Sequence, residues 1–179
     1  MPPSSPDGGS ARHVVLVGMM GAGKTTVGSR LARRLDRPFV DSDIEVERRS
    51  TRTVRQIFEE EGEAAFRALE SEVLAEALAS EEPAVIAAAG GTVLDGLNRR
   101  RMREGAVVVF LDARAADLAA RVGGDDHRPL LGDDPGATLR RMESERHDLY
   151  VEVAHHVVDV SAATGPDLVV DRVLALGAP

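Results

Sequence analysis

Residues 14–28 read VVLVGMMGAGKTTVG. Four aliphatic residues, Val14 to Val17, run into a glycine-rich turn from Gly18 to Thr25. Apolar positions then recur at Val27, Leu31 and Leu35, the spacing of one helix face. Strand, turn and helix in that order form the full context of a phosphate-binding loop. The glycines let consecutive backbone N–H groups turn inward around an anion, and the N-terminus of the helix adds positive potential at the same point. Gly21, Ala22, Gly23, Lys24, Thr25 and Thr26 are the expected nucleotide contacts. Lys24 is suited to reach the β and γ phosphates of ATP and the Thr25 hydroxyl to ligate Mg2+, one ion per subunit. The plainer reading is a glycine turn that merely caps a helix. Against it stands the composition: Lys24 is the single lysine in a chain with 21 arginines.

Four further apolar runs lie downstream: Phe39–Val40 leading into Asp41, Ala84–Ala88, Val107–Leu111 and Val157–Val160. With Val14–Val17 they read as five strands buried on both faces. Between them lie segments with helical spacing, such as Phe66, Leu69, Val73, Leu74 and Leu78. Alternating strands and helices predict an α/β fold of three layers, with a five-stranded parallel sheet flanked by helices. Thr53 with Gln56 fits a capping box, and Asp134-Pro135 fits an N-cap with proline in the first turn. Residues 1–11 have the Pro, Ser and Gly content of a flexible leader, which leaves 12–179 as one expected domain. Residues 123–136 (GGDDHRPLLGDDPG) read as a mobile lid between two helical segments.

The balance of 22 basic and 30 acidic residues gives a formal charge of −8, which disfavours a nucleic-acid surface built on clustered Lys and Arg. There is no cysteine, so disulfides and thiolate metal sites are excluded. No apolar run is long enough to span a bilayer and no signal peptide is evident, so a cytoplasmic protein acting on small molecules is expected. The five histidines lack the spacing of zinc ligands.

Asp41-Ser42-Asp43 follows the second apolar run. On an extended chain, residues two apart project to one side, so two carboxylates would face the space beyond the strand ends, where open parallel sheets bind ligands. One, Asp41, could hold a Mg2+-bound water and the other, Asp43, a substrate hydroxyl. The plainer reading makes Asp43 the cap of a helix beginning at Ile44.

The ordered series GMMGAGKTTVG, DSD, Phe66-Arg67, Gly90-Gly91, Arg128-Pro129-Leu130-Leu131, and Arg146 with Leu149-Tyr150 resembles the shikimate kinases, from Val14 to about Val173. The resemblance implies transfer of the γ-phosphoryl group of MgATP to the 3-hydroxyl of shikimate under a closing lid; a monomer is expected. It makes Asp43 the base and a ligand of the ring hydroxyls, Arg67 and Arg146 the holders of the substrate carboxylate, and Gly90 and Gly91 backbone donors to the substrate. Arg128 becomes a closing contact to the ATP phosphates, and Arg121 a neighbour of adenine. A guanidinium fork matches a planar carboxylate in two parallel bonds, which suits those arginine roles. Taken singly, Arg67, Arg146 and Arg121 also fit exposed helix arginines, and Gly90-Gly91 a tight turn without a ligand.

Three positions depart from the family pattern: Ala89, where a third glycine is usual, Asp148, where a proline is usual, and Ala163, where some members place an arginine. If the backbone at 89 must be left-handed, alanine costs about 1 kcal/mol or more. Asp148 lies two residues from Arg146, and such positions do not face each other on a helix. The rival readings are a related small kinase acting on gluconate or a nucleoside monophosphate, and an inert nucleotide-binding module.

Overall fold

The computed structural model describes residues 12–122, 134–161 and 165–177. The leader 1–11, Arg128 with most of the expected lid, and Ala163 lie outside them. The last expected lid residues do not form loop: Pro135 and Gly136 open a helix that Asp134 caps, its Oδ1 accepting the Ala137 N–H at 2.9 Å.

Five strands, β1 (His13–Val17), β2 (Phe39–Asp41), β3 (Val85–Ala87), β4 (Ala106–Asp112) and β5 (His156–Asp159), form one sheet in the order β2-β3-β1-β4-β5. Every neighbouring pair is parallel, with Val15 opposite Ile86 on one side and Val108 on the other. The helices are α1 (Lys24–Leu35), α2 (Ser42–Ser50), α3 (Val54–Ala79), α4 (Gly96–Gly105), α5 (Ala115–Val122), α6 (Pro135–Val153) and α7 (Pro166–Ala175). Helices α1 and α7 pack together on one face; α3, α4 and α6 pack together on the other. The three-layer α/β expectation therefore holds.

Burial on both faces holds for the inner strands, where β1 is wholly buried, and fails at the two edges. Strand β2 is only half-buried and β5 buries Val158 alone, because an edge strand has a neighbour on one side and fewer helices over it. A second, smaller core of Val46, Ile57, Phe66 and Val73 lies under α2 and α3, with Phe58 and Phe66 4.8 Å apart. It fixes α2 against α3 through apolar contact, at roughly 1.5–3 kcal/mol for each large side chain buried.

The topology decides where a ligand can sit. Strand β1 leads past β3 to the β2 edge, while its neighbour β3 leads across β1 to β4. Adjacent strands departing in opposite directions leave a crevice at their carboxyl ends. The turn after β1 holds Gly18–Gly23, with Lys24 and Thr25 opening α1, and the turn after β3 holds Ala88–Gly91.

Candidate active site

A cleft of about 510 Å³ fills that crevice. Gly23 (φ 93°) supplies the left-handed backbone that turns the chain into α1. Gly21, Gly23, Lys24, Thr25 and Thr26 line the cleft. Ala22 does not: its methyl is buried in the core and its N–H is used by the Met19 carbonyl at 3.2 Å. Lys24 Nζ donates to the carbonyls of Gly18 (2.8 Å) and Met19 (3.0 Å), which holds the ammonium over the loop. Arg121 also lines the cleft; its guanidinium donates to the Val160 carbonyl (2.7 Å) and reaches Gly21 O at 3.5 Å, tying the end of α5 to β5 and the loop.

The two aspartates do not share a strand. Asp41 ends β2, whereas Asp43 lies in the first turn of α2. The cap is Asp41 rather than Asp43: its Oδ1 accepts the N–H groups of Asp43 (3.1 Å) and Ile44 (3.4 Å). The Thr25 hydroxyl donates to Asp41 Oδ2 at 2.6 Å, so a hydroxyl and a carboxylate oxygen meet at the start of α1. Hard oxygen donors of this kind, few in number and beside a phosphate loop, suit Mg2+, which keeps several waters and takes its remaining ligands from phosphates. Asp43, released from capping, faces the cleft. Its carboxyl lies in a concavity that water reaches but protein largely surrounds, and this crowding pushes its pKa above the usual carboxylate value; Lys24 pulls the other way and Asp41 reinforces the rise. Ser42, between them, is buried and its Oγ accepts the Ala89 N–H at 2.8 Å, fastening α2 to the turn after β3.

On the opposite wall two arginines converge on Gly90 and Gly91. The Arg67 guanidinium lies directly over the Gly91 backbone, where any Cβ would collide with it. Arg146 Nη1 stands 3.8 Å from where a Cβ on Gly90 would be, and Tyr150 Oη donates to the Gly90 carbonyl at 2.6 Å. Neither glycine has a positive φ; at Gly91 it is the close approach of Arg67, not backbone freedom, that excludes a side chain, whereas a Cβ at Gly90 would meet only ordinary contacts. Tyr150 stacks on Phe110 with ring centroids 5.0 Å apart, and desolvation pushes its pKa up to about 12.

Arg146 is 6 % exposed and its Nε is buried with no hydrogen-bond partner. Burying a guanidinium donor unsatisfied is costly, which makes this nitrogen a candidate contact for an anion. Arg67 is held instead by carboxylates: Nη1 donates to Glu70 Oε2 at 2.6 Å, and Nε and Nη2 donate to Glu63 Oε1 at 3.3 and 3.1 Å. Glu70 is 2 % exposed, and desolvation raises its pKa to about 7 despite Arg67.

Glu63 and Glu70 were not singled out by the sequence, and Ser42 and Tyr150 stood in its motifs without a role. For Glu70 a signal exists: it falls on the apolar stripe of α3, four after Phe66 and three before Val73, where a carboxylate has to have a partner. Ala89 raises no strain. Among the described non-glycine residues only Asp36 and Thr51 have positive φ, so the left-handed cost does not arise. Asp148 points fully into solvent, 3.7 Å from His147 and away from the cleft.

A family model described as shikimate kinase matches residues 20–176. A shikimate kinase of Burkholderia pseudomallei (strain 1710b) is 49% identical over 148 residues, 82% of this chain and 80% of that one. The shikimate kinase of Thermobifida fusca (strain YX) is 49% identical over 150 residues, 84% of this chain and 86% of that one. Among solved structures, shikimate kinase from Acinetobacter baumannii in complex with shikimate superposes with a TM-score of 0.88 at 38% identity, covering 93% of each chain. With the phosphate loop, the aspartate and the paired arginines all in one cleft, the chain belongs to the shikimate kinase family.

Proposed function

We propose that this cleft transfers the γ-phosphoryl group of ATP to the 3-hydroxyl of shikimate, giving shikimate 3-phosphate and ADP. The observation that carries the reading is the convergence of Arg67 and Arg146 on Gly90-Gly91, with a buried unsatisfied guanidinium nitrogen, across the cleft from Asp43 and the phosphate loop. An acceptor that satisfies this wall carries a carboxylate, and one that uses Asp43 carries a hydroxyl beside it. A nucleoside monophosphate would instead need a second phosphate site and a base pocket.

In the proposed reaction the substrate carboxylate lies on the two guanidinium groups and orients the ring. Asp43 hydrogen-bonds the attacking hydroxyl and takes its proton as the oxygen bonds to the γ-phosphorus and the bond to the β-phosphate bridge breaks. A carboxyl whose crowding raises its proton affinity is better matched to that task. The loop amides of Gly21 and of Gly23 to Thr26, with the Lys24 ammonium, cradle the phosphates and stabilise charge on ADP as it leaves. Mg2+ would be held by Thr25 and, directly or through water, Asp41, and would neutralise phosphate charge. Arg121 holds the nucleotide side of the cleft. Arg128 takes its phosphate contact, and residues 123–136 their closing role, on the family resemblance alone.

A monomer is the state proposed for this chain. No helix among the described residues is long and apolar enough to cross a membrane, and a chain without cysteine suits the reducing cytoplasm, the location we propose. The test is ADP release from MgATP with shikimate, gluconate or a nucleoside monophosphate as acceptor. Stimulation by shikimate alone supports the reading. ATP binding without stimulation by any acceptor would favour an inert module.

A further inference from the structure

Arg67 serves two carboxylates of different kinds in the same cleft wall. Glu63 is exposed, with over half its side chain in water, and can exchange its bonds to Nε and Nη2 for solvent at little cost. Glu70 has no such exit. It is 2 % exposed, its partner Arg67 is one-fifth exposed, and the 2.6 Å pair is enclosed by protein. The charged and titratable groups facing Glu70 are Arg67 on its own helix, Asp43 from α2, and Arg146 and Tyr150 from α6. Tyr150 stays neutral across the working range, so in the empty cleft Arg67 and Arg146, with Lys24 beside Asp43, face the enclosed Glu70 and the crowded Asp43. An anionic acceptor seated on Arg67 and Arg146 adds a third negative charge within this low-dielectric wall.

Like charges packed around shared cations cannot all remain ionised without cost, and the group that yields is the one already least stable as an anion. We propose that Glu70 is a proton-linked positioning residue, which holds Arg67 through the buried ion pair in the empty cleft and takes up a proton from solvent when an acceptor carboxylate binds. This rests on the reading of Arg67 and Arg146 as the carboxylate site. Glu70 is suited to the task because burial already brings its proton affinity to near neutrality. A protonated Glu70 keeps an oxygen acceptor for Arg67 and removes the repulsion, so the guanidinium stays in place while its charge is released to the ligand.

The linkage has a definite sign. An anion that raises the proton affinity of Glu70 binds best where that proton is already present. Shikimate affinity is therefore flat in mildly acidic solution. Above the empty-site titration of Glu70 it falls, by at most roughly tenfold per pH unit. Calorimetric titration of the full chain with shikimate, in buffers of differing ionisation enthalpy between pH 6 and 9, reads the protons exchanged directly. A fraction approaching one proton is expected to be taken up near pH 8, and none with the methyl ester of shikimate, which keeps the hydroxyls and lacks the charge. Glu70→Gln is expected to abolish the uptake, match the parent near pH 6, and bind several-fold tighter than the parent at pH 8.5. A merely structural role would weaken binding equally at every pH. Shikimate binding without proton uptake, uptake unchanged in Glu70→Gln, or equal uptake with the ester overturns the linkage and leaves the carboxylate site standing. Absence of shikimate binding overturns both.

Discussion

The guanidinium of Arg67 rests on the backbone of Gly91, filling the space a side chain would take. Arginine from the middle of α3 and glycine from the turn after β3 are 24 positions apart, and they are in register because the small core of Val46, Ile57, Phe66 and Val73 sets where α3 lies. Gly91→Ala is expected to displace Arg67 and weaken its grip on the substrate carboxylate. The loss of a charge-assisted contact of about 1.5–3 kcal/mol predicts a fall in kcat/KM for shikimate of roughly 10- to 100-fold. The KM for ATP should change little, since the phosphate loop is untouched; steady-state kinetics with each substrate varied separates the two.

Asp43→Asn keeps the size and removes the base. Asp43 does not cap α2, so the helix should remain; Asp41 performs that task. A kcat lower by roughly 10²- to 10⁴-fold is expected, with a melting temperature close to the parent's. Shikimate phosphorylation at the parental rate in this variant would remove Asp43 from the role of base.

Asp41→Asn separates capping from metal binding, because asparagine caps helices about as well as aspartate but carries no charge. The Mg2+ concentration for half-maximal activity should rise roughly tenfold, equivalent to about 1.4 kcal/mol. Activity measured against Mg2+ at fixed ATP, beside a thermal melt, checks this. A large drop in stability instead would mean that Asp41 serves the fold alone.

Ala89→Gly restores the glycine usual in the family and is expected to help nothing. The backbone at 89 is not left-handed, the methyl is buried, and the N–H is already held by Ser42 Oγ. The variant should lose about 0.5–1 kcal/mol of stability through added freedom of the unfolded chain, with kcat and KM for shikimate within twofold of the parent. A gain of tenfold or more in shikimate affinity would contradict this.

His155 makes stability depend on pH at the opposite end of the sheet. Its Nδ1 accepts the Val108 N–H at 3.0 Å, which an imidazolium cannot do. Desolvation, then Arg103, Arg12 and His156, lower its pKa below the ordinary 6.5. A base with a depressed folded pKa contributes fully above its unfolded pKa and loses that contribution as pH falls below it. Comparing melting temperatures at pH 7.5 and pH 5, the parent should lose ~3 °C more than His155→Asn, whose Oδ1 accepts without titrating.

Much of this molecule is legible along the chain. Local signals carry the phosphate loop, since Gly18–Thr25 act through neighbouring backbone amides and a helix that follows directly. Strand positions and the Thr53 and Asp134 caps are equally local, and the structure places them where the spacing predicts. The alternation of strands with helices then leaves parallel pairing as the natural outcome, with the ligand crevice at the strand ends. The family resemblance added the paired arginines and Asp43, which spacing alone left open.

Tertiary structure decided the rest, because it turns on which distant segments meet. Asp41 and Asp43 both line the cleft, but Asp41 alone caps α2, since α2 begins one residue after Asp41 and rotates Asp43 off the strand. Ala89 is harmless because of a backbone torsion that composition does not reveal. Glu70 and Arg146 became significant through burial: on a bare helix each is one charged residue among many, and only packing of α3 and α6 around the Gly90-Gly91 turn and the segment after it removes their water. Residue type and local spacing could indicate the chemistry available to this chain, while enclosure, which strengthens every charge interaction in the cleft, came from the fold.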